Sequence, residues 1–152
     1  MTDAFILIGP PGAGKSTYAV KLAKEQNAVI VAGDCIRDEL EGAGFIYPSW
    51  VEIWDKVEEE VVEAVEQGKC VILDGTHVGS THRVEAITLL QSYGYNAVEA
   101  IIIDTPLTEC VKRNANRNRS VPEYVITHMY ETLHKELHKI NTEGFTKVTT
   151  HQ

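Results

Sequence analysis

The chain has 152 residues, 43% hydrophobic and 24% charged, the proportions of an ordinary globular protein and not of a disordered or fibrous one. Its 14 lysines and arginines stand against 22 aspartates and glutamates, a formal net charge of −8, which speaks against non-specific adhesion to duplex DNA or anionic lipid. The longest apolar runs, residues 5–8 and 98–103, fall far short of the ~20 residues of a membrane helix, and the opening Met-Thr-Asp lacks a signal pattern, so a single cytoplasmic domain over residues 1–152 is expected.

In chain order, short apolar runs alternate with longer helical stretches. The first strand covers residues 4–9, and a Gly-rich turn leads into a helix over about 14–26. That turn reads Gly9-Pro10-Pro11-Gly12-Ala13-Gly14-Lys15-Ser16-Thr17, a full GxxxxGK[ST] loop between strand and helix. Glycines let such a backbone curl so that successive N–H groups point inward, and the helix N-terminus adds partial positive charge. Gly12, Ala13, Gly14, Lys15, Ser16 and Thr17 are the candidate ATP-binding residues. Lys15 is placed to reach the β- and γ-phosphates, and the Ser16 hydroxyl to ligate Mg²⁺.

A second strand, 28–32, ends at Gly33-Asp34, and a short helix follows through Ile36 and Leu40. Asp34 sits at a strand's carboxyl end beside the phosphate loop, where a carboxylate can accept an acceptor hydroxyl's proton. Taken alone it reads at least as readily as a helix cap. Arg37, one turn on, faces the same side. Ser49 and Glu52 form a capping box, opening a helix with Trp50, Ile53, Trp54, Val57, Val61, Ala64 and Val65 at helical spacing that stops at Gly68. The tryptophans on this stripe read as core or groove wall before they read as a binding element.

Strand three, 70–74, closes on Asp74-Gly75-Thr76. Asp74 reads either as a Walker B-like acid holding Mg²⁺ directly or through water, or as a turn aspartate. A helix over 81–93 ends at Gly94, and strand four, 98–104, has the composition of a strand buried on both faces. Thr105 is expected to cap a helix with Pro106 at its first position. This helix runs into a basic stretch containing Lys112, Arg113, Arg117 and Arg119. After Val121-Pro122 a last helix covers 123–139, and residues 145–150 are a candidate fifth strand. The units predict an open, doubly wound α/β domain with a parallel five-stranded sheet, an Arg-rich lid, and ligands at the carboxyl ends of the strands. Three widely spaced cysteines read as reduced thiols, and the histidines show no metal-ligand spacing.

Together the phosphate loop, Asp34-x-x-Arg37, Asp74-x-Thr76, and Arg113-Asn114 with Arg117 before Val121-Pro122 resemble the P-loop kinase family of the 5′-hydroxyl polynucleotide kinases and their small ATP-binding relatives. The resemblance spans about residues 4–139. Before Asp34 the chain has Ala32-Gly33 where that family often has polar residues, and Gly75 and His77 flank Thr76 where it often has Asn. The resemblance implies an ATP- and Mg²⁺-dependent phosphotransferase acting on the 5′-hydroxyl of a nucleic-acid end or nucleotide. Lys15, Asp34 as general base and Arg117 would be catalytic, with Arg113 and Arg117 on ATP, and Arg37, Asp74 and Thr76 on the acceptor. Ser16 would hold Mg²⁺, with Asp74 as a second candidate. No membrane or protein partner is expected. Two alternatives stay open: a small-metabolite or nucleoside kinase on the same fold, and an ATPase or nucleotide-binding switch.

Overall fold

The computed structural model describes residues 3–46, 48–117 and 120–152. Five parallel strands form one sheet in the order β2-β3-β1-β4-β5. They are β1 (Ala4–Ile8), β2 (Ala28–Ala32), β3 (Cys70–Asp74), β4 (Val98–Ile103) and β5 (Lys147–His151). The helices are α1 (Lys15–Gln26), α2 (Gly33–Gly42), α3 (Trp50–Glu66), α4 (Ser80–Ser92), α5 (Leu107–Ala115) and α6 (Glu123–Ile140). No helix among the described residues is long and apolar enough to cross a membrane.

β1 is buried at every residue and lies in the middle of the sheet, so its alternating side chains feed two cores. Ala4, Ile6 and Ile8 pack with Val57, Val61 and Ala64 of α3 and with Leu90 of α4. Phe5 and Leu7 pack on the opposite face with Ala19 and Leu22 of α1 and Cys110 of α5. Helix α6 contributes Ile126 to the second core, and Leu133 and Ile140 to the first. β4 is buried throughout as its composition predicts, and its one carboxylate, Glu99, accepts from the Thr149 hydroxyl at 3.0 Å. The candidate fifth strand forms at the sheet's edge, shifted to 147–151 and paired to β4.

Local rules account for most boundaries. The Ser49 hydroxyl accepts from the Glu52 amide at 3.2 Å, and the Glu52 carboxylate accepts from the Ser49 amide at 3.0 Å, which fixes the start of α3. Gly68 takes the left-handed conformation just past that helix, at φ 68°. One boundary differs. Thr105 does not cap α5; the cap position is Pro106, with no side-chain cap. The Thr105 hydroxyl donates instead to the Ala13 carbonyl at 2.6 Å, because a buried hydroxyl beside the phosphate loop meets that carbonyl across the sheet end. Arg119, part of the basic stretch, lies outside the described residues.

Candidate active site

The carboxyl ends of β1, β2 and β3 open into one cleft of about 630 Å³. The phosphate loop forms its floor. Gly12 and Gly14 both take positive φ, 81° and 99°, which glycine adopts without strain. At Gly12 the requirement is also spatial, since a Cβ there would run into the Cys110 carbonyl of α5. The Ala13 carbonyl accepts from Thr105 and, at 3.2 Å, from Arg113. The loop is therefore tied to the segment after β4 by backbone proximity and by two side chains. Gly14 occupies the N-cap of α1 with no side-chain cap, so the helix's first amides, which lack intrahelical acceptors, open on the cleft with Lys15, Ser16 and Thr17.

Lys15 is 9% exposed, and its ammonium donates to the Pro10 carbonyl at 2.9 Å, curling back over the loop. Burial pulls its pKa down to about 8, against the attraction of Asp74. The Ser16 hydroxyl donates to the Asp74 carboxylate at 3.0 Å. Asp74 is buried, and burial raises its pKa against the pull of Lys15 and the Ser16 hydrogen bond. A buried ammonium with one carbonyl partner, beside a paired hydroxyl and carboxylate, has the donor set that a magnesium–triphosphate ligand uses: a cation for phosphate oxygens and two oxygens for the metal's shell.

Asp34 and Arg37 lie on the first turn of α2, across the same cleft. Asp34 does not cap its helix; the N-cap is Ala32, with no side-chain cap. Its carboxylate, 60% exposed, accepts from Arg117 at 3.2 Å, a contact spanning 83 residues of sequence. Arg113 and Arg117 line the cleft from the opposite wall, and Thr76 closes its back beside Asp74. The structure thus gathers the candidate site residues around one opening, except Ala13, which is buried beneath the loop.

Some contributors carried little sequence signal. Asn114 is buried, and its side-chain amide donates to the Val121 carbonyl and accepts from the Val121 amide, at 2.7 and 3.0 Å. It thereby clasps the two ends of the segment that carries Arg117. His77 takes a left-handed φ of 47° and donates through Nδ1 to the Leu7 carbonyl at 2.8 Å. Burial drives its pKa down to about 4, and its ring packs under Gly75, where a Cβ would lie 3.0 Å from it. Arg83, fully buried, forms a two-pronged ion pair with Glu143 at 2.6 and 2.9 Å and donates to the His77 and Val78 carbonyls. It anchors the loop that presents Thr76. In the sequence Asn114 stands only as part of the Arg113-Asn114 motif and His77 only as a departure beside Thr76, and no pattern announces Arg83.

A family model described as an AAA domain matches residues 5–137. The chain belongs to this AAA-domain family. It is 30% identical over 136 residues to an L-seryl-tRNA(Sec) kinase of Methanococcus maripaludis, covering 83% of this chain and 50% of that protein. An adenylate kinase of Bartonella bacilliformis is 31% identical over 128 residues, covering 71% of this chain and 64% of that one. A solved chain of the Pnkp1/Rnl/Hen1 RNA repair complex superposes with a TM-score of 0.77 at 26% identity, over 91% of this chain and 46% of that one. This AAA domain therefore has the fold of P-loop kinases, and it spans about half the length of the seryl-tRNA kinase and of the RNA-repair chain.

Proposed function

We propose that the chain is an ATP-dependent kinase transferring the γ-phosphoryl group to the 5′-hydroxyl of a nucleic-acid end or nucleotide. The observation that carries this reading is an exposed carboxylate, Asp34, paired with Arg117 at 3.2 Å across a cleft from a P-loop lysine and a Ser16–Asp74 pair. A carboxylate on the open side of the cleft is where the proton of an acceptor hydroxyl can go. Relatives named for seryl-tRNA, adenylate and RNA repair support an acceptor that carries nucleotides.

In this mechanism Lys15 leaves the Pro10 carbonyl for the β- and γ-phosphate oxygens, which restore a partner to its buried charge. Asp34 orients the acceptor hydroxyl and takes its proton as the oxygen bonds to the γ-phosphorus; the bond to the bridging oxygen breaks and ADP leaves. Arg117, paired with the base in the cleft, can move from the Asp34 carboxylate to the charge developing on the transferring group. Arginines in that role contribute ~10³–10⁵ in rate where measured. Arg113, already tied to the loop at Ala13, flanks the same phosphates from the lid side. Arg37 offers a charge-assisted contact to a phosphate beside the acceptor hydroxyl. Ser16, with Asp74 behind it, would hold Mg²⁺, which neutralises phosphate charge when bound.

The test is product analysis with γ-labelled ATP against 5′-hydroxyl oligonucleotides, nucleoside 3′-phosphates, nucleosides and sugar acids. Label on the 5′-hydroxyl of the nucleotide acceptors is expected. Label on sugar acids alone would move the reading to a small-metabolite kinase, and release of free phosphate alone to an ATPase.

A further inference from the structure

The cleft has an aromatic wall that the phosphoryl-transfer chemistry does not use. Trp50, the first residue of α3, keeps 46% of its surface exposed, although it lines the cleft with Asp34 and Arg37. Two rings hold its indole. Trp54, one turn along α3, stacks on it with centroids 5.5 Å apart and planes 24° apart. His82, from the first turn of α4, meets it edge-on at 4.9 Å and 66°. The capping box at Ser49 and Glu52 fixes the backbone immediately before it. An indole left in water but locked in orientation from two sides is preorganised, so a planar ligand that covers it loses little further freedom on binding.

We infer that Trp50 is a stacking platform for the nucleobase of the acceptor. The inference rests on the proposed transfer to a nucleotide 5′-hydroxyl and names what selects that acceptor. A nucleotide presents three parts: a hydroxyl for Asp34, a phosphate for Arg37 and a planar base. A sugar acid presents no planar base for Trp50 to cover. Base–aromatic stacking tolerates every base, because each has a π-face. The platform therefore selects nucleoside acceptors as a class and contributes little preference among bases. By the usual cost of removing one stacking ring, it is worth about tenfold to a hundredfold in acceptor efficiency.

The test compares two acceptors that differ in the base: a nucleoside 3′-phosphate and the abasic methyl ribofuranoside 3-phosphate, whose blocked C1 keeps the furanose ring and its 5-hydroxyl free. The wild type is expected to favour the first by about tenfold to a hundredfold in kcat/KM, mostly through KM. Trp50→Phe should keep most of that ratio, and Trp50→Ala should collapse it toward one. A ratio near one in the wild type, or an unchanged ratio in Trp50→Ala, would overturn the platform while leaving the kinase reading intact. If no 5′-hydroxyl acceptor is labelled, the kinase reading fails and binding decides the platform. In Trp54→Phe, where Trp50 is the sole indole, nucleoside 3′-phosphate should quench fluorescence and the methyl ribofuranoside 3-phosphate should not. Equal quenching, or none, overturns the inference.

Discussion

The two walls of the cleft are built differently. On the donor side the phosphate loop is fixed before any ligand arrives: Gly12 abuts the Cys110 carbonyl, the Ala13 carbonyl is held by Thr105 and Arg113, and Lys15 is buried on Pro10. On the acceptor side the groups stand open: Asp34 is exposed, Arg37 is half-buried, and Trp50 presents nearly half its surface. A wall that binds the same triphosphate in every turnover gains from rigidity, since no reorganisation is then needed when charge develops. A wall that admits one acceptor among many alcohols works through a few exposed groups, each separable from the fold. Substitutions on the donor side should therefore disturb binding and stability together, and those on the acceptor side turnover and selectivity alone.

The largest effect expected is at Lys15. Lys15→Ala removes the loop's ammonium and should abolish detectable transfer and weaken ATP binding, read by labelled-product assay and nucleotide titration. Unchanged turnover would take the phosphate loop out of the mechanism. Next is Asp34. Asp34→Asn should cut kcat by about 10²–10⁴ with ATP affinity retained. Its melting temperature should scarcely move, because an exposed ion pair with Arg117 contributes at most about 1 kcal/mol. A large loss of stability with turnover intact would make Asp34 a structural residue and leave Asp74 as the candidate base.

A smaller effect sharpens the contrast from beneath the cleft. His77 has a folded pKa of about 4 against 6.5 unperturbed, so over that interval the unfolded chain binds a proton that the folded one excludes. Stability conferred by the neutral ring is complete at neutral pH and is lost as pH falls from 6.5 toward 4, about 2 kcal/mol of it between pH 7 and 5. Urea midpoints across that range should show the slope in the wild type. His77→Asn, which tolerates the left-handed backbone, should flatten it. An identical slope in both would place the acid sensitivity elsewhere.

The donor wall was largely legible in the sequence because its rules are local. Gly9 to Thr17 is a contiguous pattern that reads as a strand-to-helix turn; on the other wall the Ser49–Glu52 box before Trp50 is equally local, working over three residues. Long-range contacts were not legible. Thr105 and Pro106 fit the pattern of a helix start, and the donation to Ala13 that overrides it joins residues 92 apart. Asp34 and Arg117 could each be singled out by residue type and position, but their pairing across 83 residues could not. The Arg83–Glu143 pair, 60 residues apart, looks in sequence like two surface charges, since nothing local reports that an arginine on α4 is fully buried. His77 stood out only as a departure from the family pattern, and its left-handed φ and half-buried ring belong to the fold.

In the proposed reaction Arg37, on the acceptor wall, reads a phosphate next to the hydroxyl to be phosphorylated. Its most direct test is the ratio of kcat/KM for a nucleoside 3′-phosphate over the plain nucleoside, in the wild type and in Arg37→Ala at saturating ATP. A charge-assisted contact of about 1.5–3 kcal/mol predicts a wild-type preference of about tenfold to a hundredfold, nearly erased in the mutant while ATP affinity holds. Equal use of the two acceptors by the wild type would contradict the claim and favour a kinase for a small, unphosphorylated alcohol.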